Sequence, residues 1–237
     1  MSVVDRYTNI VFTTIVQQHE IHRLNRDNND KIHRKEVVAM QVDAMTIAAI
    51  VDELRLLLAN ARIDTIIQPT EHALAIQCYT PSSQGQSGQN RWLYLSAHPQ
   101  LARVHITALK PPKLTSEPPA FVMLLRKHLE GARIESISQP RWERVIEIVA
   151  GYKHSLNDGS SDSENVNGRD RQDEIGQKNE QTIQQVQHVR FRLIIELMGR
   201  MSNIILCDEQ GMILGSLKRV GADVNRYRTI AAGIPYV

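Results

Sequence analysis

The sequence predicts an α+β protein built mainly on antiparallel sheet. Three observations carry this reading. A helix with a 3.6-residue apolar period opens at Asp43. A second, shorter helix lies between Pro118-Pro119 and Gly131. Nine short apolar runs bounded by turn residues make up most of the remainder.

Residues 1–39 are polar and weakly patterned, with NRDNNDK at 25–31 reading as a solvated tract, and are expected to be a disordered extension. From Asp43, the residues Ile47, Ile50, Val51, Leu54, Leu57 and Leu58 share one helical face, and Asp43 has the chemistry of an N-cap. Strands are expected at Arg62–Ile67, Ala73–Tyr79, Trp92–Ser96 and Arg103–Thr107, with the Ser- and Gln-rich residues 81–88 as a hairpin connection. Pro118-Pro119 opens the second helix, Ala120 to Glu130, and Gly131 closes it as a C-cap. Further strands are expected at Ile134–Ser138, Val145–Val149, Val189–Leu197, Ile204–Cys207 and Met212–Leu217, the last two joined by a turn at Asp208–Gly211. Residues 154–181 are rich in Ser, Asn, Asp, Gly and Gln and almost lack apolar side chains. They read as a disordered acidic loop inside a single domain spanning 40–237.

Composition sets the class. The chain is 42% hydrophobic and 23% charged, ordinary for a globular protein, but only 5% aromatic, so its core must rest on Ile, Leu, Val and Ala. Cys78 and Cys207 lie far apart in apolar strand runs and read as buried, reduced thiols. No apolar stretch reaches the roughly 20 residues of a membrane span. The first residues show no signal-peptide core, which makes the cytoplasm the expected compartment. The net charge of +2 is uneven, because seven acidic and three basic residues fall within 157–180 and leave the rest of the chain basic. A basic body suits a polyanion partner.

Most catalytic signatures are absent. There is no phosphate-binding GxxxxGK[ST] loop, no GxGxxG after a strand and no GxSxG elbow. His19-Glu-Ile-His22 is one residue short of HExxH and lacks a third ligand, so no metal and no cofactor are expected. Two charged blocks stand in apolar surroundings. Arg126, Lys127 and His128 form a cationic turn of the second helix, which reads either as a solvated face or as a phosphate-contacting ridge. In Glu196-Leu-Met-Gly-Arg-Met-Ser-Asn203, a sharp bend at Gly199 either aims Arg200 into a cleft or simply turns a hairpin.

SAHPQLARVHIT (96–107), FVMLLRKHLEGARI (121–134), ELMGRMSNIIL (196–206) and the closing YRTIAAGIPYV resemble successive signature segments of the NFACT-N domain. This domain, also known as the fibronectin-binding protein A N-terminal domain, heads the RqcH/NEMF ribosome quality-control factors. The resemblance runs from Asp43 to Val237. It implies an antiparallel β-sandwich with flanking helices, similar to the N-terminal domain of formamidopyrimidine-DNA glycosylases. It also implies binding to tRNA, with alanyl-tRNA recruited for alanine tailing of nascent chains, and to the large ribosomal subunit carrying an obstructed peptidyl-tRNA. The family's tailing residues, an Asp on the first helix and an Asp-Arg pair after the second, correspond to Asp43 and to Glu143-Arg144, where glutamate stands in place of aspartate. Arg126, Lys127, Arg200 and Asn203 complete the expected tRNA-contacting set, and Met201 stands where the family has His.

The glycosylase likeness does not extend to chemistry. Those enzymes use an N-terminal proline nucleophile, whereas this chain begins Met1-Ser2, and a start at Met40 would expose Gln41. The expectation is a non-catalytic module, truncated relative to a family that continues through helix-hairpin-helix, coiled-coil and NFACT-R segments. The alternatives are a fibronectin-binding surface adhesin and an inactive fragment.

Overall fold

Asp43 starts the first helix as its position requires. Its carboxylate accepts a hydrogen bond from the Thr46 backbone N–H at 2.7 Å, capping α1 (Ala44–Leu58). Ile47, Ile50, Val51, Leu54 and Leu58 of α1 are buried, the face set by the 3.6-residue period. The computed structural model describes residues 42–82, 87–155, 186–221 and 228–237. The expectation for 1–39, including His19 and His22, lies outside the described residues. So does that for 154–181, except for its first two residues.

After α1 come β1 (Arg62–Thr70), β2 (Ala73–Thr80), β3 (Gln89–Ser96) and β4 (Arg103–Thr107). The helix α2 (Ala120–Leu129) follows, then β5 (Arg133–Ser138), β6 (Val145–Ser155), β7 (Val186–Glu196), β8 (Asn203–Asp208) and β9 (Ile213–Ser216). Every expected strand is present. β6 and β7 run further than their sequence suggested, pairing as far as Ser155 and Val186, so His154 and Ser155 belong to strand rather than loop. Cross-strand pairing there outweighs a polar composition that on its own reads as loop.

All the strands join one antiparallel sheet in the order β4-β3-β2-β1-β5-β6-β7-β8-β9. This replaces the two separate sheets of the expected sandwich. The reason is one pairing, Arg62 with Arg133, which stitches β1 to β5 before the two strands diverge. Beyond that point the backbone of β1 needs other partners, and α2 supplies them. Arg126 donates from Nε and Nη2 to Ile66 O at 2.9 and 2.8 Å, while Glu130 Oε1 accepts from Ile66 N–H at 3.1 Å. The i,i+4 pair of α2 thus stands in for the missing strand neighbour. Gly131, at φ +88, then turns the chain so that its N–H donates to Ile63 O at 2.8 Å.

A single apolar core takes Ile66, Leu74 and Leu93 from one half of the sheet, Ile148, Leu193 and Ile204 from the other, and the buried faces of both helices. A Cβ on Gly215 of β9 would stand 2.5 Å from Leu124 Cδ2, which shows how closely α2 lies on that strand. Cys78 and Cys207 are buried free thiols, and burial pushes their pKa values up to about 12 and about 11. On the other face, a smaller core of Val145, Ile194, Ile205 and Ile213 is covered by the closing segment through Ile230, Ile234 and Tyr236. There the fully buried Glu196 accepts from Arg228 at 2.6 Å and from the Tyr236 hydroxyl at 2.8 Å.

Candidate functional site

Residues separated by about a hundred positions meet at the start of α1. Val42, Asp43 and Ala44, the segment Trp142-Glu143-Arg144, and Met198 line an open groove of about 540 Å³. Gln139 makes the join. Its side-chain amide donates to Ala44 O at 2.9 Å and to Glu143 O at 2.8 Å, binding the β5–β6 connection to the first turn of α1. Glu143 N–H donates to Pro140 O at 2.9 Å, and Leu197 N–H donates to Arg144 O at 2.8 Å, so the connection is held at both ends.

Between those anchors the backbone is strained. Arg141 and Trp142 adopt φ +46 and +57, a left-handed conformation that costs L-residues roughly 1–2 kcal/mol each. Its effect is to hold Trp142 out at the groove with 66% of its surface exposed. A large aromatic kept in solvent on a strained, anchored turn is withheld from core packing and left open to contact. The hydrogen bond from Thr46 N–H holds the Asp43 carboxyl below its ordinary value, so this group is an anion at neutral pH.

Not every residue expected at the site arrives there. Asp43, Glu143 and Arg144 do, and all three are exposed. Arg200 is exposed on the turn Gly199–Met201, which directly follows the groove residue Met198. Arg126 is committed to Ile66 O, and Lys127 is exposed on α2, a helix that contributes nothing to the groove. Asn203 is 1% exposed, and its amide serves the backbone of Lys218 and Ile204. His128, the third member of the cationic turn, packs on Phe191 with ring centroids 4.7 Å apart, and burial holds its pKa below the ordinary value. Trp142 and Gln139 are the residues that sequence reasoning passed over. The signal for Trp142 was a tryptophan within a Pro- and Arg-containing turn; nothing local marks Gln139.

The model of the NFACT N-terminal and middle domains matches residues 43–237. This chain belongs to that family. Among relatives, the Rqc2 homolog RqcH of Streptococcus pneumoniae is 34% identical over 203 residues, covering 84% of this chain and 30% of that protein. The Rqc2 homolog RqcH of Bacillus subtilis is 34% identical over 198 residues, covering 83% and 28%. The NFACT chain therefore spans less than a third of the length of these relatives. A crystal structure of the N-terminal domain of the fibronectin-binding protein PavA from Streptococcus pneumoniae superimposes with TM-score 0.63 at 34% identity, covering 82% of this chain and 60% of that one. No helix among the described residues is long and apolar enough to cross a membrane.

Proposed function

We propose that this chain is the tRNA- and large-subunit-binding module of a ribosome-associated quality-control factor, acting in the cytoplasm by binding rather than by bond-making of its own. The observation that carries this is the groove. The three residues matching the family's tailing set, Asp43, Glu143 and Arg144, converge there from about a hundred positions apart around an exposed tryptophan. Arg144 offers a planar cation to a phosphate or to the face of a base, and the two carboxylates accept from base amino groups. Trp142 offers a stacking surface for an unpaired base. Within a full-length factor the ligand of this groove is tRNA, alanyl-tRNA in the tailing reaction, on a large subunit holding obstructed peptidyl-tRNA.

Filter binding of tRNA over a range of salt concentrations tests the proposal. The affinity is expected to fall steeply with salt as phosphate contacts release counterions. Arg144→Ala is expected to weaken binding on the order of tenfold, the value of one charge-assisted hydrogen bond. Absent or salt-independent association counts against it. A second reading, adhesion to fibronectin, is favoured by the name of the PavA relative. Saturable binding to immobilised fibronectin without tRNA binding supports that reading, and binding to neither supports an inactive fragment.

A further inference from the structure

The turn at 199–201 also borders a surface that the groove does not use. Gly199 adopts φ +61, and a Cβ on it would stand 3.7 Å from Pro99 O, so the turn lies beside the loop joining β3 to β4. Ala97 N–H in that loop donates to His72 O at 2.8 Å, and the rings of His72 and His98 stand 5.7 Å apart. From beyond β9, Lys218 reaches the same loop and donates from Nζ to Ala97 O at 2.5 Å. Arg103, at the start of β4, lies over the Tyr94 ring at 5.0 Å and donates to Leu101 O at 3.2 Å. Four basic side chains, none of them fully exposed, are gathered around one loop.

Their placement is enforced. Asn203, buried in β8, donates to Lys218 O at 2.8 Å and accepts from Lys218 N–H at 3.0 Å, and the Ser216 hydroxyl donates to Lys218 O at 2.8 Å. A buried amide thus makes two of its hydrogen bonds to the backbone of one lysine. The cluster contrasts with three other partly buried cations: Arg126 is paired with Glu130, Arg192 with Glu147 and Arg228 with Glu196. Among the described residues, none of Lys218, Arg103, His98 and His72 forms an ion pair with a carboxylate. Burial lowers the pKa of Lys218. Burial first, then His72, Lys218 and Arg103, lowers that of His98. A partly buried ammonium and guanidinium without a counter-charge, Lys218 and Arg103, are costly, and an anion bound between them relieves the cost.

We infer that His98, Arg103 and Lys218 form a second, separate site that binds a phosphate group, either a phosphodiester of an RNA strand or a free phosphate. Lys218 keeps ammonium protons beyond the one given to Ala97 O, and Arg103 presents a planar fork of donors. His98 Nδ1 accepts from Gln100 N–H at 3.2 Å, which leaves the proton of the neutral ring on Nε2 as a third donor. For an RNA ligand, the strand would pass from the groove across exposed Arg200. The site itself does not depend on the groove's function.

The test uses the whole chain. Inorganic phosphate titrated at fixed pH is expected to shift the imidazole NMR signals of His98 and His72 saturably. The shift is expected to vanish in Lys218→Met, to persist in Lys218→Arg, and to remain in the groove variant Arg144→Ala. Asn203 and Ser216 hold only the backbone of residue 218, so Lys218→Met keeps those bonds, and its melting temperature checks the fold. If that variant does not fold, His98→Gln followed through His72 gives the same readout. The second arm is tRNA binding. If the source is RNA, the slope of log affinity against log salt flattens by about 0.7–0.9 in Lys218→Met. A phosphate-induced shift with an unchanged tRNA slope assigns the site to a small phosphate ligand. No shift with phosphate and no change of slope in folded Lys218→Met overturns the inference.

Discussion

Gln139→Leu isolates what assembles the groove, because leucine keeps the bulk of the side chain and removes both donated hydrogen bonds. Each bond contributes about 1 kcal/mol net, and that to Glu143 O lies at the exposed end of the turn, so the pair is worth about 1–2 kcal/mol. For a domain of this size that corresponds to a fall in Tm of roughly 2–8 °C, measured by circular dichroism. The same free energy must then be supplied at binding, since the 139–144 connection with its two left-handed residues has to be re-ordered against α1. The affinity for tRNA is expected to fall about five- to thirty-fold in the folded variant. A Tm within a degree of the parent would refute the strength assigned to these bonds. A lowered Tm with unchanged tRNA affinity would refute the idea that Gln139 pre-organises an RNA-binding groove.

Arg126→Ala should behave in the opposite way. It strips two bonds from Ile66 O in a partly buried position and is expected to cost about 1–3 kcal/mol in denaturant unfolding, with tRNA affinity unchanged once the protein is folded. Asp43→Asn keeps an N-cap and should retain stability while losing an anion from the groove, whereas Asp43→Ala should lose both. The folded pKa of Asp43 lies below its ordinary 3.8, so its ionised cap contributes fully above that value and is lost as the pH falls through the folded one. Asp43→Asn should therefore flatten the dependence of Tm on pH below about pH 4, and an unchanged acid limb would contradict the cap. Ellman's reagent at pH 8 is expected to label neither Cys78 nor Cys207 in the native chain and both after denaturation, because both are buried and their thiols titrate near 12 and 11.

The elements of the fold were legible because their signals are local. The period of Ile47, Ile50, Val51 and Leu54, the cap at Asp43, the stop at Gly131 and the short apolar runs between turn residues can each be read within a dozen residues. What escaped depends on partners distant in sequence. The cationic turn at Arg126 reads as surface until β1 and β5 are seen to part, at which point Arg126 and Glu130 become caps on an exposed strand edge. Asn203 reads as a contact residue until its amide is found around Lys218, fifteen positions away across a hairpin. The end of β6, His154 and Ser155, is polar and reads as loop until it is paired with Gln187 and Val186 of β7. For the site, Asp43 and Glu143-Arg144 were reached through a family resemblance. Gln139, which joins them, and Trp142, which faces the same groove, only acquire meaning once both segments are placed.

The exposed tryptophan also provides the most direct test of where RNA sits. The chain has two tryptophans, Trp92 at 5% exposure and Trp142 at 66%, so Trp92→Phe leaves a single reporter in the groove. Adding tRNA to that variant is expected to quench the emission of Trp142 and shift it to shorter wavelength, with a midpoint equal to the filter-binding affinity and moved to higher concentration by Arg144→Ala. Binding of tRNA that leaves the emission of Trp142 unchanged would contradict the assignment of the groove.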